Sequence, residues 1–89
     1  MNQKELPFDI GSSYLIRTVT YHVVGRVMKV SGDFLVLESA SWVADSGRFG
    51  EAIAKGNLDE VEFAGPAFVN TNAITDAYPW THDLPNKTK

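Results

Sequence analysis

The chain has 89 residues, 44% of them hydrophobic and 21% charged, which is enough for one small domain and too little for two. Eight Lys and Arg stand against eleven Asp and Glu, a net charge of −3, and this argues against a protein that grips phosphate backbones by bulk charge. The absence of cysteine excludes a disulfide framework, thiolate zinc, an iron–sulfur cluster and a cysteine nucleophile together.

The opening residues 1–6 read as loose. Residues 1–8 are polar and charged and carry Pro7, with none of the apolar core of a secretory signal. No apolar run approaches the ~20 residues of a membrane helix, so a cytoplasmic location without membrane contact is expected. Residues 13–19 form the first predicted strand, with Leu15, Arg17 and Val19 on one face and Tyr14 and Ile16 on the other. A longer Val-rich strand follows over 20–30, and Gly25 in its middle marks a bulge or tight bend. Ser31-Gly32-Asp33 reads as a hairpin turn, with Gly32 supplying a positive φ. Residues 34–38 return as a third strand, apolar at nearly every position and expected to be the most buried.

Residues 39–44 either extend that strand or begin a new one. A short helix is predicted next, capped by Asp45 or Ser46, with Phe49, Ala52 and Ile53 on one face and Gly56 ending it. Residues 58–63 alternate as a strand with a solvated acidic face that carries Glu60 and Glu62. Gly65-Pro66 punctuates, 67–70 extend again, Asn70-Thr71-Asn72 turns, and 73–78 give a last strand ended by Pro79. The pattern predicts one mainly-β domain over 1–89: an antiparallel barrel of five to six strands, one short helix after the third, and a C-terminal arm over 79–89.

Two stretches carry a resemblance. Val24-Gly25-Arg26-Val27-Met28-Lys29-Val30 followed by Gly32-Asp33-Phe34-Leu35-Val36-Leu37-Glu38 resembles the long bent strand, hairpin and buried third strand of SH3-like and Sm-like small barrels. Ala67-Phe68-Val69-Asn70-Thr71-Asn72-Ala73-Ile74 is similar to their closing hairpin, although Sm-like proteins carry their helix at the N-terminus. The runs Ser41-Trp42-Val43-Ala44-Asp45-Ser46-Gly47-Arg48-Phe49 and Tyr78-Pro79-Trp80-Thr81-His82-Asp83-Leu84-Pro85 resemble small proteins encoded by phages. That resemblance implies a virion structural or assembly role, or inhibition of host defence by sequestering a nucleotide signal, in the host cytoplasm.

Catalytic constellations are thin. His22 and His82 lie sixty residues apart and lack metal-ligand spacing, so no metal is expected. Ser39 or Ser41 with His22 and Asp45 composes a triad only on paper, without a nucleophile elbow. Glu60 and Glu62 suit a solvated edge better than acid–base work. No phosphate loop or dinucleotide fingerprint is present, and no cofactor and no enzymatic activity are expected.

Binding is better supported, because aromatic residues make up 11% of the chain and several adjoin polar groups. Tyr21, His22, Trp42 and Trp80 can stack on a ring ligand. Arg17, Arg26 and Arg48 can pair with an anion, and Asn70 or Asn72 can read its edge. Each has a plainer reading: Trp42 as core, and Arg17 and Arg26 as surface partners of Glu38, Glu60 or Glu62. Trp80, past the last strand, either folds back over one barrel end or docks on a neighbouring subunit, and the second reading favours a homo-oligomer.

The leading expectation is a non-enzymatic, phage-type protein that sequesters a small anionic, nucleotide-like ligand between subunits. Its site would use Arg17, Tyr21, His22, Arg26, Trp42, Arg48, Asn70 and Trp80. The alternative is an assembly protein that oligomerises and binds only protein. Single-stranded nucleic acid comes third, since the net charge disfavours it.

Overall fold

The computed structural model describes residues 7–86 and contains five strands and one α-helix. They are β1 (Ser13–Thr18), β2 (His22–Ser31), β3 (Phe34–Asp45), α1 (Phe49–Lys55), β4 (Glu60–Asn70) and β5 (Ile74–Pro79), with a single 3₁₀ turn at Thr71–Ala73. All pairings are antiparallel, in the order β4-β3-β2-β1-β5. The first four strands form a meander, and β5 crosses back to pair with β1. The fold is therefore mainly β with its helix after the third strand. No helix among the described residues is long and apolar enough to cross a membrane.

A line of small residues creases the three long strands. Pairing registers shift around Gly25 in β2, Ser39 and Ala40 in β3, and next to Gly65 in β4, with Ala40 opposite Gly65. Such bulges bend a strand and raise its twist. Ser39 takes a left-handed φ of 51° and Gly65 one of 87° to make the bend. A Cβ built on Gly25 would lie 3.1 Å from the Ala40 Cβ and 3.2 Å from its Cα, so the strands approach more closely here than a side chain accepts without a shift of its neighbour.

The crease folds the sheet over one of its own faces. Alternation along β1 sends Tyr14 and Ile16 to that inner face and Leu15 to the outer. The inner cluster adds Val23, Val27, Leu35, Leu37, Ala40 and Val69 from both sides of the crease. The Tyr14 hydroxyl, buried with its ring, accepts a hydrogen bond from the Asp9 backbone N–H at 2.8 Å. On the outer face Leu15, Val24, Val43 and Val61 lie under Ala52 of α1, Leu58 and Trp80.

Several expectations change. The most buried strand is β1, covered on both faces, whereas β3 buries Leu35 and Leu37 but leaves Phe34 45% exposed. The extended segment after residue 38 is the same strand continued, and β4 runs unbroken through Gly65-Pro66, which leaves five strands. The barrel is not closed by hydrogen bonds, because β4 and β5 form the two edges of the sheet. The 3₁₀ turn turns the chain away from β4 towards β1, and Pro66 has no N–H to offer another strand.

Helix α1 has seven residues and no side-chain cap, since Asp45 Oδ1 instead accepts from the Gly47 N–H at 2.8 Å. Gly56 ends it with a φ of 77° and donates to the Ala52 carbonyl, as expected of a C-terminal glycine. The C-terminal segment is no projecting arm over its described part. Trp80 is only 4% exposed, its indole N–H donates to the Asp83 carbonyl, and Leu84 packs on the same cluster. His82 Nε2 sits 2.7 Å from the Ile53 carbonyl and ties this segment to α1. Trp80 thus finds its cover within the chain, which removes the reason it offered for a second subunit. The loose segment expected at 1–6 and the last three residues of the arm lie outside the described residues.

Gly25→Ala should destabilise the fold by about 1–3 kcal/mol, because the added methyl must displace Ala40 and its backbone. Urea unfolding measures this, and an unchanged midpoint would mean that the strands do not meet at the crease.

Candidate aromatic binding site

Cross-strand registers place one row of side chains across the inner face, Ala77–Ile16–Val23–Trp42–Glu62. The row starts in the core, with Ile16 at 0% and Val23 at 5% exposure. It leaves the core at Trp42, which is 44% exposed, and ends at Glu62 on the open edge of β4. Burial stops here because β4 is the last strand and nothing folds over this end of the inner face.

Tyr21 reaches the same place from the turn between β1 and β2. That turn is held by Thr18, whose backbone N–H donates to the Tyr21 carbonyl at 2.8 Å. The Thr18 hydroxyl donates to the same carbonyl at 2.8 Å and accepts from the Tyr21 N–H at 3.0 Å. Thr18 is itself buried, so the backbone of Tyr21 is set by a protected network. Thr20, Tyr21, His22, Trp42, Val43 and Ala44 line a shallow cleft of about 210 Å³. Three of the eight expected site residues, Tyr21, His22 and Trp42, therefore meet.

The other five do not join them. Arg17 donates from Nε to Asp76 Oδ1 at 2.6 Å, and its Nη2 also bonds Asp76, a bidentate pair between β1 and β5. The Tyr78 hydroxyl donates to the same carboxylate at 2.7 Å, and the guanidinium lies 5.4 Å from the centre of the Phe49 ring. Phe49 and Tyr78 meet edge to face at 4.9 Å, so this cluster fastens the first residue of α1 to the sheet. Arg17 with its hydrogen bonds, then the Tyr78 hydroxyl, holds the Asp76 carboxyl down at about 2, and the same carboxylate raises the Tyr78 phenol and the Arg17 guanidinium.

Arg26 pairs with Glu38 opposite it at 2.6 Å, as its plainer reading had it. Arg48 is exposed just before α1 and is not among the cleft's lining residues. The Asn70 side chain accepts from the Asn72 N–H at 2.9 Å and so caps the 3₁₀ turn. Trp80 is core. The cationic half of the expected anion site is thus not assembled within one chain.

A second surface lies beyond the crease, on the outer face. Phe34, Val36 and Phe68 with Lys29 and Ser31 line an apolar cleft of about 440 Å³, and Phe68 is 68% exposed. This concavity is larger, but few polar groups converge on it to orient a ligand. Neither Glu62 as a neighbour of Trp42 nor the exposed Phe68 was singled out from sequence. Alternation along the sequence would put Glu62 and Phe68 on one face, and the register shift beside Gly65 that sends them to opposite faces has no sequence signal beyond the glycine itself.

No protein-family model matches the chain, and neither a curated protein nor a solved structure is similar to it at a meaningful level. The chemistry of the clefts is therefore the basis for assigning a function.

The depressed Asp76 carboxyl sets a pH signature. A group whose folded pKa lies below its unfolded value stabilises above the unfolded value, here 3.8, and that contribution disappears as pH falls towards about 2. Asp76→Asn should be less stable than the parent at pH 7, and the difference should close between pH ~4 and ~2. Thermal melts across that range measure it; a gap that stays constant down to pH 2 would show that the ion pair does not contribute.

Proposed function

We propose that the protein is a non-enzymatic binding module whose working surface is the Tyr21–Trp42 cleft. The observation that carries this reading is Trp42, a large ring left 44% exposed at the end of an otherwise buried row and beside a second ring on a fixed turn. Exposed rings on rigid backbone bind other flat groups at ~1–3 kcal/mol each and lose little entropy in doing so. The lining supports binding over catalysis, because it pairs no nucleophile with a base.

At about 210 Å³ the cleft is smaller than the roughly 300–1,000 Å³ that encloses a whole small ligand. It suits a single ring or head group presented by a partner, or half of a site that a second subunit completes. Sequestration of a nucleotide-like signal by a phage-type protein draws support from these two rings and from the sequence resemblance. With Arg17 and Arg26 engaged within the chain, an anion in this cleft would have His22 from the lining and would draw further cations from Arg48 or from another subunit.

A second reading, an assembly protein that pairs with its own copy, draws on the outer face at Phe34, Val36 and Phe68. Lys29 on its rim and Asp33 in the adjoining turn form no ion pair among the described residues and would complement each other across a two-fold axis. Phe68→Ser should then lower the mass measured by light scattering. An unchanged mass removes this reading.

For the leading reading, Trp42→Ala should abolish the thermal shift produced by whichever ring-containing ligand or partner raises the melting temperature of the parent protein. Equal responses from parent and variant, or no response to any ring compound, would overturn it.

A further inference from the structure

We infer that the Tyr21–Trp42 cleft takes an organic cation, an alkylammonium or guanidinium head group, in preference to an anion. This deepens the binding reading above and rests on it. Two observations meet here. First, Trp42 and Tyr21 are both partly exposed and share one cleft, and an aromatic face attracts a cation through its quadrupole, tryptophan most strongly. Second, a carboxylate adjoins Trp42, while the lining itself carries His22 as its one basic side chain. Glu62 is the register partner of Trp42, so their Cβ atoms lie about 5 Å apart on the same face. One step along the strands, Asp45 faces Glu60. All three are exposed, and none forms an ion pair among the described residues, where the pairs are Arg17–Asp76 and Arg26–Glu38.

The arrangement is asymmetric between the two faces of the sheet. On the outer face Arg17 is neutralised by Asp76 under α1. The inner face carries the exposed rings and Glu62 with no basic side chain in the row. An anion stacked on Trp42 would face Glu62 with only the His22 imidazole and the Thr20 and Tyr21 hydroxyls of the lining to offset it, whereas a cation there gains both the ring face and the carboxylate. The cleft accommodates a head group of a few heavy atoms, so affinity for the isolated cation should be on the order of millimolar.

The molecule carries its own reference for the test. Trp42 is half exposed and Trp80 is buried with its indole N–H on the Asp83 carbonyl, so the two indole N–H resonances report on the cleft and on the fold separately. The full chain, labelled with ¹⁵N, is titrated with tetramethylammonium chloride and N-acetyl-arginine amide, and in parallel with adenosine monophosphate and phenol. The expected result is a saturable shift of the Trp42 indole with both cations while Trp80 stays in place. Glu62→Gln should weaken it roughly 2- to 5-fold, and 0.5 M salt should weaken it further. Trp42→Leu, checked for folding by the Trp80 resonance, should remove the accompanying shifts of the Tyr21 backbone amide. If the nucleotide or phenol moves Trp42 and the cations do not, the cleft stands as the site and the cation assignment is overturned. If none of the four moves Trp42, both the assignment and the choice of site are overturned.

Discussion

The close approach of β2 to β3 at Gly25 and Ala40, with the left-handed turn of β4 at Gly65 opposite Ala40, is the constraint on which the rest of the molecule depends. Without side-chain bulk at that line, three long strands bend together and the sheet folds over its own inner face. One cluster then draws on both halves of the bent strands, and Tyr14, Ile16 and Val23 can pack with Leu35, Leu37 and Val69. A sheet of this length without the crease would expose one face entirely, and a chain of this size has only one short helix to cover it.

The crease also decides which surfaces stay uncovered. The half of the sheet nearer α1 is covered twice, by the folded-over half within and by Ala52, Leu58 and Trp80 outside. The other half is covered once, so Phe34, Val36 and Phe68 remain on the surface. Helix α1 is too short and too poor in caps to persist alone. It is kept in place by Ala52 in the outer cluster, by Phe49 against Arg17 and Tyr78, and by His82 at its C-terminal carbonyls. The segment after β5 thereby acts as the strap that seals the second layer.

Function is read where this cover ends. Arginines that look available in the sequence are engaged, Arg17 in fastening helix to sheet and Arg26 in a cross-strand pair. What remains open beside a fixed turn is a pair of rings, one of them next to Glu62, which forms no ion pair among the described residues. On the proposed reading, the sign of the local charge, rather than the number of arginines in the chain, sets the kind of ligand that the rings would hold.

Much of the local structure was legible in the chain itself. Period-two alternation marks β1, Gly32 turns the first long hairpin, Gly56 ends α1, and the pairing of Tyr21 and Trp42 as candidates needs only that both adjoin polar residues. These follow from short-range physics, the staggering of side chains along a strand and the conformations open to glycine. The tertiary structure alone decided that Ser39 and Gly65 continue strands through bulges instead of ending them, that Phe34 faces out and Trp80 in, and that Glu62, not an arginine, borders Trp42. Each of these depends on which strand lies opposite and whether anything covers that face, and sequence neighbours carry no record of either.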